Sequence, residues 1–394
     1  MRKEYPCIDV NLSKVTHNAK QILSLCNKKG IDVIGVTKVF CAESPIVQAI
    51  LDGGITHIGD SRIQNLKKMS NLSCRKTLLR ISMESESEEV VRYSDISLNS
   101  ELDTIKTLAK AAKSLDKKHN IILMVDVGDL REGVLEEDAV AVVKEILKLD
   151  SISLIGLGTN VTCYGGVLPD KDNLGKLIRL KNEIKALCNI ELPIISGGNS
   201  SSLYMVMDNT IPEGVNQLRV GEGIVLGRET SFGKLIPGCY DDAFILSGEI
   251  VEIKNKPTVP KGKIGMDAFG QKPSFEDKGI RKRAIVAIGR QDIKVDGLIP
   301  LDNNISIFGA SSDHLILDVT DSTKSLRVGD IIDFKMDYGC LLAAMTSFYV
   351  KKYYEEELAV AIMSLKVKIK LNIFRRNYYE KKCKSCNLGI WSNG

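Results

Sequence analysis

The sequence predicts a TIM (β/α)8 barrel followed by a mostly β domain, on three observations. Between residues 32 and 220, eight short runs rich in β-branched residues alternate with amphipathic stretches, the pattern of repeated βα units around a parallel sheet. After Gly233 the helical periodicity stops, and strand-like runs punctuated by Asp296-Gly297, Asn303-Asn304 and Gly329-Asp330 replace it. The length, 394 residues, suits one large barrel with a smaller partner. The expected division is residues 1–232 for the barrel, 233–357 for the β domain and 358–394 for a divergent basic tail.

The barrel strands are expected at 32–39, 56–59, 77–83, 95–98, 120–127, 153–160, 193–196 and 216–220, and the opening strand near residue 8 is expected to pack with the second domain. Helices are expected at 101–115, 136–149 and 173–188; in the first of these Leu102, Ile105, Leu108 and Ala109 are spaced for one buried face. Strands at 244–253, 283–288, 305–308, 315–319 and 331–336 make up the second domain. Eight βα units that close on themselves place a site at the carboxyl ends of the strands, whereas a doubly wound open sheet is the alternative topology.

Composition narrows the class. Hydrophobic residues at 44% and charged residues at 26% are ordinary for a globular protein. No apolar run approaches the ~20 residues of a membrane helix, and the start MRKEYPCIDV lacks a secretory apolar region, so a cytoplasmic location is expected. The net charge of +4 is a property of the tail: residues 359–394 hold eight Lys or Arg and one Glu, which leaves the body slightly acidic. Neither a nucleic acid nor an anionic membrane is therefore an expected partner. Cys383 and Cys386 form a single CxxC without a second pair, and no metal is expected.

Lys38 follows an apolar run at the end of the first barrel strand. Desolvation there would favour the neutral amine that a Schiff base needs, although a lysine at a strand end also snorkels to solvent. Two later strand ends carry phosphate-binding chemistry. The seventh runs into Ser196-Gly197-Gly198-Asn199-Ser200-Ser201-Ser202, with hydroxyl donors and a helix start, and the eighth into Gly221 and Gly223 beside Arg219. TIM barrels often bind phosphate after strands seven and eight.

The ordered set of Lys38 after the first strand, Asp126-Val127-Gly128-x-x-Arg131-Glu132-Gly133 after the fifth, Thr159-Asn160 after the sixth, Asn199-Ser200 after the seventh and Leu218-Arg219-x-Gly221 after the eighth resembles the alanine racemase family of pyridoxal phosphate enzymes. The opening Ile8-Asp9-Val10-Asn11-Leu12 and His17-Asn18 are similar to that family's first strand and helix, and the resemblance runs from about residue 5 to residue 350. Within the family, GVTKVFCAE, GTNVTCYGG, SGGNSSSL and LRVGEGIVLGRE are most similar to the branch that interconverts L- and D-ornithine.

The resemblance implies a role for each matched residue. Lys38 would carry pyridoxal 5'-phosphate as a Schiff base and then act as base on one face of the substrate Cα. Ser200, Ser201 and the backbone amides of Gly221 and Glu222 would hold the phosphate. Asn160 falls where the family has a histidine against the cofactor ring. Arg219 would face the pyridine nitrogen, and a guanidinium that cannot accept a proton weakens the electron sink, which favours reprotonation at Cα over transamination. Glu222 is a competing neighbour of that nitrogen. The loop Gly309-Ala310-Ser311-Ser312-Asp313-His314 would reach into a partner subunit's barrel, with the Ser312 amide on the substrate carboxylate and Arg131 as opposing cation, so the active unit is expected to be a homodimer.

One departure concerns the second base. Where the family has a catalytic tyrosine, this chain reads Ala287-Ile288-Gly289-Arg290-Gln291-Asp292. Asp292 is a candidate second base, with His314, Tyr338, Cys340 or a water as further donors opposite Lys38. Asp292, Asp313 and Asp337 are candidates for binding a distal ammonium. The alternatives in function are an alanine or broad-specificity basic amino-acid racemase, a decarboxylase of similar build, and a non-catalytic pyridoxal-phosphate-binding protein.

Overall fold

The computed structural model describes residues 3–355. The expected tail at 358–394, with Cys383 and Cys386, lies outside the described residues. Strand β1 is Cys7–Asn11, and the following eight close a parallel barrel: β2 Asp32–Val36, β3 His57–Asp60, β4 Arg75–Leu78, β5 Ile96–Asn99, β6 His119–Met124, β7 Ile152–Thr159, β8 Ile194–Gly197 and β9 Gln217–Val220. Most of these strands are four or five residues long and buried nearly throughout, because the helical ring covers one face and the barrel interior the other. The predicted barrel is therefore present, and the open doubly wound sheet is excluded.

The helices owe their places to the periodicity seen in the sequence. Leu102–Ser114 buries Ile105, Leu108, Ala109 and Ala112. Lys171–Cys188 starts at a reciprocal cap in which the Asp170 side chain accepts from the Asn173 amide and the Asn173 side chain accepts from the Asp170 amide. Inside the barrel Ile96, Leu98, Ile122 and Met124 form a small core of their own, with Leu79, Ile81, Ile155 and Ile194 against it. This plug fills the interior below the strand ends, so a ligand is confined to the mouth.

The second region is antiparallel: β10 Phe244–Pro257, β11 Ile280–Val286, β12 Leu298–Pro300, β13 Ser306–Ala310, β14 Leu315–Asp318, β15 Ile331–Met336 and β16 Lys351–Glu355, in the order β12-β15-β10-β11-β14-β13. Strand β1 joins this sheet between β10 and β16. Strand β4 ends at Leu78 rather than at the expected residue 83, and further features also depart from expectation. Strand β2 ends at Val36 rather than at residue 39, and Lys38–Phe40 form a 3-10 turn followed by Cys41 and Ala42 in the left-handed region at φ 54° and 53°. Strands β12 and β16 were not expected. Finally, Tyr338–Thr346 is a helix started by Asp337, whose side chain accepts from the Cys340 amide; it is apolar on nearly all sides, so no periodicity announces it. It packs on the Lys38–Phe40 turn. No helix among the described residues is long and apolar enough to cross a membrane.

At the amino ends of the strands, His57 Nε2 lies 2.7 Å from Thr77 Oγ1 and His119 Nε2 2.9 Å from Ser97 Oγ. Burial lowers the pKa of His119 from 6.5 to about 4. The folded state thus binds fewer protons than the unfolded chain, so the contribution of His119 to stability is complete above about pH 6.5 and is lost as the pH falls toward 4. Urea titrations at pH 7 and pH 4.5 should show about 2–3 kcal/mol less pH-dependent loss of stability in His119→Asn than in wild type; equal losses would mean that His119 does not carry this term.

Candidate active site

A cavity of about 720 Å³ opens at the carboxyl ends of the barrel strands. Its wall brings together Lys38, Arg131, Asn160, Ser200, Arg219, Gly221 and Glu222 from five separate stretches of sequence. The Lys38 corner is built by a lock between β2 and β3. Thr37 donates its amide to Gly59 O (2.9 Å) and its hydroxyl to Asp60 Oδ2 (2.6 Å), while Asp60 Oδ1 accepts from the Arg62 amide and Asn65 Nδ2. Burial raises the Asp60 pKa against the pull of these bonds and of the Lys38 charge. The sequence reading expected Lys38 to be partly desolvated; it is exposed, because the strand stops two residues earlier and the turn lifts the side chain to the cavity rim.

Opposite this corner a polar relay joins β7, β8 and β9. The Arg219 guanidinium donates to Thr159 O (2.6 Å), Ser196 Oγ and Asn160 Oδ1 (3.3 Å). Asn199 Nδ2 donates to the same Asn160 oxygen (3.0 Å), to Val161 O and to Cys163 Sγ (3.4 Å), while Asn199 Oδ1 accepts from the Ser201 amide (2.7 Å). Ser200 Oγ accepts from the Gly223 amide (3.1 Å), which ties the seventh strand end to the helix Glu222–Leu226. Two buried hydroxyls here, Ser201 Oγ and Thr159 Oγ1, and Asn160 Nδ2 have no hydrogen-bond partner among the described residues. Buried polar atoms left open are costly unless a ligand or water meets them, so the region suits a polar group with several acceptors.

Electrostatics follow from burial. Arg219 is lowered to about 10, chiefly by desolvation, and remains a cation at neutral pH. Glu222 is raised to about 7 by burial, with Asp337 and Glu229 adding like charge. The Tyr338 phenol, also on the cavity wall, is pushed up by burial and by Glu222.

The loop after β6 is fixed by two carboxylates. Asp126 Oδ1 accepts from the Gly128 and Leu130 amides. Asp129 is buried and accepts from the amides of Thr162, Tyr164, Gly165 and Val167, stapling this loop to the one after β7. Gly133 has φ 138°, and a Cβ there would lie 2.3 Å from the Asp126 nitrogen, so only glycine fits. This rigid frame presents Arg131 and Glu132, which pair with each other through both carboxylate oxygens.

Not every expected residue reaches the cavity of its own chain. Asp292 is buried and accepts from Ser347 Oγ. Ser312 and Asp313 sit in the exposed turn between β13 and β14, hydrogen-bonded to each other (2.6 Å), and Asp337 is used as the helix cap. Ser201 is fully buried next to the wall residue Ser200. Cys340 is buried. Conversely, Arg80, Glu132 and Cys163 line the cavity without having been singled out. The overlong strand expected at 77–83 hid Arg80, and Glu132 and Cys163 passed as members of longer strings.

The family model for the alanine racemase N-terminal domain matches residues 10–229, more than half of the chain. The chain belongs to the alanine racemase family. It is 53% identical over 349 residues to the ornithine racemase of Acetoanaerobium sticklandii, covering 88% of this chain and 99% of that one. It is 41% identical over 356 residues to the lysine racemase of Thermotoga maritima, covering 90% and 99%. Among solved structures, the alanine racemase of Clostridium difficile 630 superposes with a TM-score of 0.69 at 18% identity, over 90% of this chain and 97% of that one, which establishes the shared fold.

The stapling role of Asp129 is testable. Asp129→Ala leaves four loop amides without their acceptor and should lower stability by about 2–3 kcal/mol in urea titrations. A cost below about 0.5 kcal/mol would show that the loops hold without it.

Proposed function

We propose that this chain is a pyridoxal-phosphate-dependent racemase of the cytoplasm that interconverts L- and D-ornithine as a homodimer. The observation that carries the reading is the convergence of a free primary amine, a buried guanidinium and a set of unpartnered hydroxyl and amide groups on one barrel mouth, in a chain 53% identical to an ornithine racemase. When bound, pyridoxal phosphate supplies a carbonyl that condenses with amines and a conjugated ring that acidifies the substrate Cα–H.

In this reading Lys38 would hold the cofactor and would move the proton at the substrate Cα. The Ser200 and Ser201 hydroxyls and the amides of Gly221 and Glu222 take the phosphate, and the open Ser201 Oγ is a fitting donor. Asn160, held on its oxygen side by Arg219 and Asn199, has an amide group left for the ring. Arg219 would face the pyridine nitrogen. Lowered only to about 10, it stays a cation at neutral pH and would disfavour a proton on that nitrogen, which would keep a bound cofactor a modest electron sink and favour return of the proton to Cα.

For the opposite face of Cα, Asp292 is engaged by Ser347 and stands off this chain's cavity, whereas Tyr338 lines it. Its phenol, held above the usual tyrosine range, keeps a proton to give. The exposed turn with Ser312 and Asp313 is free to enter the cavity of a second copy, with the Ser312 amide and Arg131 on the substrate carboxylate.

Purified protein should show an absorbance band of a lysine-bound cofactor and convert L-ornithine to a racemic mixture by chiral chromatography. Lys38→Ala should lose the band and at least about a thousandfold in rate; a variant with the wild-type band would remove Lys38 from its role. Ser201→Ala should retain the band but bind the cofactor about tenfold more weakly in equilibrium titrations, and unchanged affinity would exclude its hydroxyl from the phosphate site.

A further inference from the structure

The charges on the cavity wall are unequal. Lys38, Arg80, Arg131 and Arg219 face two carboxylates, Glu132 and Glu222. A second cation brought in by an amino acid with a charged side chain would meet net repulsion unless one carboxylate receives it. Glu222 is a poorer receiver: it is half-buried at the start of the helix Glu222–Leu226, and desolvation with the like charges of Asp337 and Glu229 raises it to about 7, so it is only partly ionised at neutral pH. Arg80 is engaged by Glu86 (2.8 Å) and Arg219 by Thr159 and Ser196. Glu132 differs, because its hydrogen-bonded partner among the described residues is its own neighbour Arg131, and the side chain is still 19% exposed.

We infer that Glu132 is the residue that selects a cationic side chain, by exchanging Arg131 for the distal ammonium of the substrate. This rests on the reading of the chain as an ornithine racemase. In the free protein the two neighbours neutralise each other. An amino acid with a carboxylate and a distal ammonium replaces that pair with two: carboxylate to Arg131 and ammonium to Glu132. An amino acid with a neutral side chain offers only the first and must compete with Glu132 for Arg131. The selection therefore combines an attraction for cationic side chains with a penalty on neutral ones. The frame is built to hold it, since Asp126, Asp129 and Gly133 leave the loop little freedom to turn the carboxylate away. Among the other acids proposed for this task, Asp292 and Asp337 are consumed by Ser347 and the Cys340 amide, and Asp313 lies on the turn assigned to a second copy.

The test uses the full-length holoenzyme and L-norvaline, which matches the ornithine carbon chain without its terminal ammonium. Glu132→Gln keeps the size of the side chain and a hydrogen-bond acceptor for Arg131. In it kcat/KM for L-ornithine should fall about tenfold or more, mostly through KM, while the inhibition constant of L-norvaline stays within about twofold or tightens. Glu132→Asp should recover part of the ornithine preference. Equal losses for both ligands would overturn the proposal, because Glu132 would then only hold Arg131 in place. It is equally overturned if Glu132→Gln leaves ornithine kinetics unchanged, or if Asp313→Asn produces the selective loss instead. Wild-type protein that does not racemise ornithine would remove the underlying function before any variant is compared, so the two failures are separable.

Discussion

The organisation of the mouth depends on a buried cation without a carboxylate in hydrogen-bond contact. Arg219 spends its guanidinium on a backbone carbonyl of β7 and a serine of β8 while standing on β9, so one side chain pins three strand ends. A buried charge solvated by dipoles alone is expensive, as the lowering to about 10 shows. That cost is offset by the order it imposes: Asn160 is turned by Arg219, Asn199 is set by Asn160, and the Ser201 amide is set by Asn199. The unpartnered hydroxyls are a product of this chain of constraints, which fixes the groups around them.

The Lys38 corner depends on a different source of rigidity. Thr37 and Asp60 fasten the turn from inside the barrel, and the helix Tyr338–Thr346 presses on it from the β sheet. The same helix brings Tyr338 to the cavity wall. One wall of the cavity is therefore contributed by a sequence more than one hundred residues beyond the last barrel strand, and the barrel alone would leave that side open.

Much of this was legible in the sequence, for physical reasons that also explain what was not. Barrel strands buried on both faces write continuous apolar runs, and Gly-Ser residues at 196–202 announce a turn, so the eight strands and the turns after the last two were readable. Helix Tyr338–Thr346 left no period because its open face also carries apolar residues, Leu342 and Ala343, so nothing polar alternates with the buried Cys340, Leu341, Ala344 and Met345. Arg80 was invisible because a strand that stops at Leu78 looks the same as one that continues. The importance of Glu132 could not be read at all, since a carboxylate next to an arginine is ordinary until the loop that holds both is seen to be fixed at the mouth.

Strand β1 has a consequence for the order in which the chain can mature. It is hydrogen-bonded on one side to β10 and on the other to β16, so residues near the beginning of the chain pair along one edge with residues 244–247 and along the other with residues 351–355. A ribosome emits the barrel first, and its eight parallel strands can close while Cys7–Asn11 still presents two bare edges. Such a delay is the physical mark of a long-range contact, slow to form and exposed to mispairing while it waits. A nascent chain halted before residue 351 therefore keeps one edge of this strand open, however well its barrel has folded.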